Sequence, residues 1–538
     1  MSKRPIILFA ALLFLFSGII VRLYTLTEQG YAEVAEAQST VTVTLANSRG
    51  TIYDRNLTAL TNAKDRYAAS VIAVPSALAA LSSVYDDEAW ADLSGRLSSG
   101  KPAVITSSSP LPLAEGIVQF TVPQRYDDSG LAAHVLGYVG DDGVHGVCGV
   151  EYALDGILDS AAGNLSVTYQ TDGTGTVLPG GEITVENTLA RANAGAALTL
   201  DRAMQHMVQT LAGESISRGA VVVMDAQNGD ILAMASFPGF TATRLSDYLT
   251  DEASPLFDRA TAAYNCGSVF KTVTAMAAIE RGVPQTQSFT CLGVLRVGEN
   301  RIKCHHVLGH GLLTLGDGFA QSCNPYFIQL AQLMGGEWLH RYASLLGFDS
   351  PIMLMDRWQT DRATLPSQED FDGSVLLANV SIGQGDLLAT PIHVAAMTAC
   401  VANGGTYYRP NLYLGTVDQL KQLTAAVREP GSRVCSEQTA AALRAMMCEV
   451  VASGTGKAAA TAVGTAAGKT GTAQTGWKTA AGDTMVHSWF TGFYPAEDPQ
   501  YVVTVLAEDS ETTGEATAPV FKRICDNLYR MGYVKIPS

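Results

Sequence analysis

The first twenty-four residues constrain this chain more than any other stretch. "MSKRPIILFAALLFLFSGIIVRLY" carries Lys3 and Arg4, then no charge until Arg22, with apolar or small residues throughout 5–21. Extended to Tyr24, the run is about 20 residues, roughly 30 Å of helix, enough to cross a bilayer. A cleaved signal peptide is the competing reading. No small-x-small site follows the run closely, however, since Ala35-x-Ala37 lies well downstream. The expectation is an uncleaved anchor over 5–24, with a stub at 1–4 kept in the cytoplasm by Lys3 and Arg4. Everything after about residue 25 would then lie outside the cell.

Beyond the anchor the chain has room for two to four domains and a large core. The net charge of -16, with no basic stripe to offset it, argues against a nucleic-acid binder. Residues 25–47 read as a helix leaving the membrane and entering a strand, and "SRGTIYDRN" (48–56) as a turn between strands. Residues 60–195 mix short strands, Ser/Gly turns and acidic loops without a dense cluster of chemical groups. The stretch 25–197 is therefore expected to be a non-catalytic pedestal. The register changes at 198–240, which reads as an amphipathic helix, a strand at Ala220–Met224, a turn at Asn228-Gly229 and a strand at Asp230–Ser236. This opens a second domain expected to run over 198–538. No internal repeat of 20–50 residues is present.

Nine cysteines are scattered rather than framework-spaced, and their odd number leaves at least one unpaired within the chain. Cys291, Cys304, His305, His306 and His310 offer zinc-ligating groups, but Cys-x12-Cys-His-His has no familiar zinc spacing. The glycines at 293 and 298 suggest a hairpin that brings Cys291 and Cys304 together. A disulfide between them, or two free thiols, is expected in preference to a metal.

Three short elements carry the chemistry. "GTAAGKTGTAQT" (464–475) ends like a phosphate-binding loop, yet Val463 stands where that loop needs its first glycine, and β-rich sequence comes next instead of a helix. The alternative is a Lys-Thr-Gly strand that faces a serine nucleophile. Ser268 and Lys271 in "YNCGSVFKTVTAMAAIERG" supply that serine, at a helix N-terminus, with a lysine one turn on. Such a lysine takes the serine proton if burial and a neighbouring cation lower its pKa. About two Ser-x-x-Lys pairs occur by chance in a chain of this length. The second, Ser98 with Lys101, lies in a turn and is taken as the chance match. "SCN" at Ser322–Asn324 places a second hydroxyl, to relay a proton, beside an amide that can hold a substrate amide. A tight loop is expected at Asn324-Pro325, and a helix-capping role is the competing reading of the tripeptide. Lys469, Thr470, Gly471 and Thr472 would lie on an edge strand beside Ser268. Lys469 supplies charge, the two threonine hydroxyls meet a substrate carboxylate, and Gly471 leaves room for substrate backbone. The backbone N–H groups of Ser268 and Thr472 are the expected oxyanion hole.

Ser-x-x-Lys, Ser-x-Asn and Lys-Thr-Gly in that order resemble the class B, membrane-anchored penicillin-binding proteins. "RGTIYDRN" (49–56), "VVVMDAQNGDILAMASFP", "SIGQGDLLATPIH" (381–393), "GTGKAAATAVGTAAGKTGTAQ" (454–474) and "HSWFTGFYP" extend the likeness over nearly the whole chain. One departure is Cys266, where the family usually has proline before Gly-Ser; this puts loop rigidity in doubt but not the chemistry. The resemblance implies an α+β fold, an antiparallel sheet flanked by helices on an elongated pedestal. It implies a peptidoglycan D,D-transpeptidase with Ser268 as nucleophile and Lys271 as base. Ser322 and Asn324 would act as relay and binder, and Lys469, Thr470 and Thr472 as carboxylate and oxyanion contacts. It also implies acylation by β-lactams, no metal or organic cofactor, and a multi-pass glycan polymerase as partner, because the pedestal leaves little room for a glycosyltransferase domain. The alternatives are a D,D-carboxypeptidase or β-lactamase on the same scaffold, a β-lactam sensor, or a catalytically dead scaffold.

Overall fold

The computed structural model describes residues 3–28, 39–140, 143–371, 375–478, 484–510 and 516–536. The helix Arg4–Glu28 realises the N-terminal run, and Arg4–Leu26 is long and apolar enough to cross a membrane.

The chain divides into two compact units. The first comprises Met1–Arg49, Lys64–Arg125 and Ala162–Ala192. Its sheets each have three strands. Gly163–Gln170 lies between Thr40–Ser48 and Ile183–Asn187, and Lys64–Val71 lies between Ala103–Ser107 and Ile117–Gln124. Short helices Pro75–Ser82 and Asp87–Leu97 cover the second sheet through Ala77, Leu81, Leu93 and Leu97. Ser98 is the C-cap of the latter helix and donates to the Gly95 carbonyl at 2.6 Å. Its hydroxyl is thus bonded to the backbone of its own helix.

The second unit is Gly50–Ala63, Tyr126–Ala161 and Asn193–Ser538, so two segments between 25 and 197 pack with the C-terminal region. The stretch 48–56 is correspondingly more than a turn. Thr51–Tyr53 is a strand that pairs in parallel with Gly195–Leu198. Its partner lies some 140 residues away, which local sequence does not reveal.

A five-stranded antiparallel sheet organises this unit. The order is Ile231–Phe237, Gly219–Asp225, Tyr501–Ser510, Thr484–Tyr494, Ala467–Lys478. Both faces are covered. Ala220, Val222, Met224, Val502 and Leu506 face one core, and Val221, Val223, Val503 and Val505 face the other. Burial on both faces is why "AVVVM" reads as a continuous apolar run without alternation. On one side pack the amphipathic helices Arg202–Gly213, capped by Asp201 accepting from Ala203 and Met204 N–H, and Thr517–Arg530. On the other lie Lys271–Glu280 and Pro391–Ala402, both buried nearly all round.

Among the described residues Ala467–Lys478 pairs only with Thr484–Tyr494, so the Lys-Thr-Gly segment is on an edge strand as expected. The turn Gly267–Phe270 crowds against that strand. A Cβ on Gly471 would stand 2.9 Å from the Cys266 carbonyl and from Val269 Cγ1. Gly471 therefore makes room for the nucleophile turn. Gly267, at φ +57, has no space either, since a Cβ would meet the Thr472 carbonyl at 2.4 Å.

Candidate active site

The serine arises from a change of helix type. Gly267–Phe270 is a single 3₁₀ turn running straight into the α-helix that starts at Lys271. The junction keeps Ser268 partly exposed while Lys271 is fully buried. The turn is braced from two sides. Gly267 N–H donates to the Gly383 carbonyl at 2.8 Å, and Trp489 Nε1 donates to the Asn265 carbonyl at 3.0 Å.

Lys271 Nζ is the hub. It lies 3.0 Å from Ser268 Oγ, 2.7 Å from the Ser322 carbonyl, 3.2 Å from Ser322 Oγ and 2.7 Å from Asn324 Oδ1. The carbonyl and the amide oxygen can only accept, so they take two of its hydrogens. In the neutral amine the remaining position is a lone pair, and the geometry leaves it for the serine hydroxyls. Burial pushes the Lys271 pKa down to about 7, while the neighbouring Cys323 and Cys304 act in the opposite sense. At neutral pH a large share of the amine is therefore unprotonated and able to accept the Ser268 proton.

Lys469 differs from expectation. It is fully buried rather than open to the cleft, and its Nζ donates to Ser322 Oγ at 3.0 Å and to the Thr470 carbonyl at 3.1 Å. Burial first, and the charge of Lys271 second, hold its pKa well below the ordinary lysine value. Phe327 and Phe319 wall the two amines, each 5.6 Å from a ring centroid. Ser322 thus bridges two desolvated lysines, the geometry of a proton relay.

Ser322 sits at φ +50 in the turn 321–323. The expected loop at Asn324-Pro325 is instead the start of the helix Asn324–Met334, where proline is tolerated because its missing N–H would be unpaired anyway. Cys323 is the N-cap position and makes no side-chain cap, so helix capping does not account for the tripeptide.

A cleft of about 650 Å³ opens beside these groups, lined among others by Ser268, Ser322, Asn324, Thr470 and Thr472. Thr470 Oγ1 is 2.7 Å from Thr455 Oγ1. Asn379, Gln384 and Thr455 also line the cleft and carry no role in the sequence reading; their stretches are visible in the sequence, but their convergence is not. Gln384 Nε2 donates to the Thr472 carbonyl at 3.3 Å, tying the 381–385 loop to the edge strand.

Of the two expected states of Cys291 and Cys304, the structure has the free thiols, not the disulfide, and the other seven cysteines are free as well. The sulfurs of Cys291 and Cys304 gather with Cys323 Sγ and a ring nitrogen of His310, all four atoms within 4.8 Å of one another. Hydrogen bonding to Cys323 draws the Cys304 thiol below its ordinary pKa, and the same contact pushes Cys323 up. His305 Nδ1 lies 4.0 Å from Cys304 Sγ but outside this group of four, whose last member, Cys323, comes from the catalytic turn and is invisible to the local Cys-x12-Cys-His-His spacing.

Residues 219–526 match the family described as "Penicillin binding protein transpeptidase domain". The chain is 30% identical to stage V sporulation protein D of Bacillus subtilis over 76% of this chain and 64% of that protein. It is 30% identical to the peptidoglycan D,D-transpeptidase MrdA of Haemophilus influenzae, over 73% of this chain and 67% of the relative. The chain thus spans about two thirds of the length of these curated relatives. Among solved structures, the D,D-transpeptidase domain of a peptidoglycan glycosyltransferase from Eggerthella lenta superimposes with a TM-score of 0.66 at 25% identity, covering 90% of this chain and 99% of that one. PBP2 of Helicobacter pylori in complex with MreC shares the fold, with a TM-score of 0.68 at 21% identity over 92% and 99% of the two chains.

Proposed function

Since this chain belongs to the penicillin-binding protein transpeptidase family, we propose that it cross-links peptidoglycan through an acyl-enzyme on Ser268. The observation that carries this reading is Lys271, a buried amine depressed to about 7 and 3.0 Å from Ser268 Oγ at the edge of an open cleft. Ser268 Oγ attacks the penultimate carbonyl of a D-Ala-D-Ala stem peptide as its proton passes to Lys271. The backbone N–H groups of Ser268 and Thr472 receive the oxyanion. The tetrahedral intermediate then breaks its C–N bond, and the proton moves through Ser322 to the departing D-alanine. An amine from a second stem reverses the sequence and restores the serine. Thr470 and Thr472 hold the terminal carboxylate, Asn324 the substrate amide, and Lys469 maintains Ser322 from behind.

We read the first unit as the non-catalytic pedestal and Arg4–Glu28 as an anchor with its N-terminus in the cytoplasm. Peptidoglycan and β-lactams are the expected ligands, and a multi-pass glycan polymerase the expected membrane partner. Incubation with benzylpenicillin should add one covalent adduct on the Ser268 peptide, long-lived because a transpeptidase excludes water. Ser268→Ala should abolish the adduct and Ser98→Ala should leave it intact. Rapid turnover of the adduct would favour a hydrolase, and no adduct on folded protein would refute the enzyme reading.

A further inference from the structure

We propose that Cys291, Cys304, His310 and Cys323 form a tetrahedral zinc site that pins the catalytic turn. The four ligands come from separate places. Cys291 ends the strand Phe289–Cys291, Cys304 comes directly after the strand Asn300–Lys303, His310 precedes the strand Gly311–Leu313, and Cys323 lies between Ser322 and Asn324. Their spacing is Cys-x12-Cys-x5-His-x12-Cys.

The geometry suits zinc. With Zn–S near 2.3 Å and Zn–N near 2.0–2.1 Å, the ligand atoms of a tetrahedral site lie about 3.5–3.8 Å apart. The four atoms already fall within 4.8 Å of one another, and Cys304 Sγ to His310 Nδ1 is 3.5 Å. The three cysteines are buried at 2%, 4% and 0% exposure, and His310 closes the set from the half-buried side. Three thiolates and one imidazole select zinc over hard, oxygen-seeking cations. A disulfide would engage only two of the three sulfurs and leave the third thiol and the imidazole without a purpose at the same point.

The backbone is shaped for this convergence. Cys304 N–H donates to the Gly293 carbonyl at 2.9 Å, and Cys291 pairs with Gly311 across the two short strands. Gly293 and Gly309 have φ of +82 and +78, and a Cβ on either would strike the opposite chain at 2.2 Å. The crossing of the two segments therefore depends on glycine at both positions.

Binding releases the thiol protons to solvent and fixes Cys323 to three ligands outside its own turn. That turn carries Ser322 in the left-handed region, a conformation that needs surrounding structure to hold it. Ser322 and Asn324 are the two residues on either side of Cys323, and both contact Lys271. Cys323 is thus a positioning residue, and the metal holds the relay hydroxyl and the Asn324 amide in register with Lys271.

The test is metal analysis of the full chain purified in detergent under reducing conditions and incubated with zinc, then desalted. One zinc per chain is expected, with an X-ray absorption shell of three sulfurs and one nitrogen. Cys291→Ser and His310→Ala should each lose most of the zinc, while Cys448→Ser should retain it. A chain that binds no zinc overturns the proposal, as does a mapped disulfide between any two of these cysteines in the native protein. Zinc retained by both ligand variants overturns it as well. The acylation arm rests on the Ser268 reading: Cys291→Ser should slow β-lactam acylation by about tenfold or more. If wild-type protein is not acylated at all, that reading fails while the zinc stoichiometry still decides this one.

Discussion

Replacing Asn324 by aspartate tests the lysine base directly. Asn324 Oδ1 accepts from Lys271 Nζ at 2.7 Å, in a site where Lys271 is fully buried. Wild-type acylation requires the neutral amine, whose pKa is about 7. The neutral fraction is then about one tenth at pH 6 and about nine tenths at pH 8, and an unperturbed lysine would reach these fractions more than three pH units higher. The acylation rate should therefore climb about tenfold between pH 6 and 8 and level off above. A carboxylate at position 324 places a negative charge against the ammonium, and an opposite charge at that range raises a lysine pKa by about 1–3 units. The midpoint should move to about 8–10, and the rate at pH 7 should fall by about fivefold to several hundredfold, with recovery as the pH is raised. The assay is single-turnover acylation by a fluorescent penicillin from pH 5.5 to 10. A rate that falls equally at every pH, with the midpoint unmoved, would refute Lys271 as the titrating base. The same depressed pKa has a consequence for stability. The unfolded lysine holds its proton up to about 10.5 and the folded one only to about 7, so the contribution of Lys271 to stability rises with pH across that window and is unfavourable below it.

Gly471→Ala should destabilise the protein by about 1–3 kcal/mol and slow acylation, because the new methyl meets the Cys266 carbonyl, Val269 and Trp489 at 2.9–3.0 Å; denaturant unfolding and adduct formation measure the two effects. Lys469→Met keeps the volume of a fully buried side chain and removes the donor 3.0 Å from Ser322 Oγ. Acylation should slow by about a hundredfold, with an unchanged or raised Tm by scanning calorimetry, since the charge is lost from a desolvated site. Arg259→Met should cost about 3–5 kcal/mol in urea unfolding. It strips Glu508 of a partner at 2.5 Å from a guanidinium only 1% exposed, leaving Arg218 at 3.2 Å as the remaining cation.

Local sequence carries local physics, and several features of this chain are local. The apolar run that becomes Arg4–Glu28, the helix and hairpin of 202–237, and the serine with a lysine one turn on are all set by neighbours within a few residues. The order of Ser268, Ser322 and Lys469 along the chain was enough to point to an acyl-transfer site and to a known family. Tertiary structure alone decided how those pieces meet. Lys469 sits on the predicted edge strand, yet its side chain is sealed behind Phe319 and aimed at Ser322, because the helices packed on the sheet exclude water from it. The need for glycine at 471 is set by the nucleophile turn, which fills the space a Cβ would take. Thr51–Tyr53 becomes a strand only through pairing with 195–198, and Cys323 joins Cys291, Cys304 and His310 only when the catalytic turn folds against the 289–313 arm. Such contacts between residues far apart in the chain leave no periodicity in either segment, and the packed core is what brings them within reach of one another.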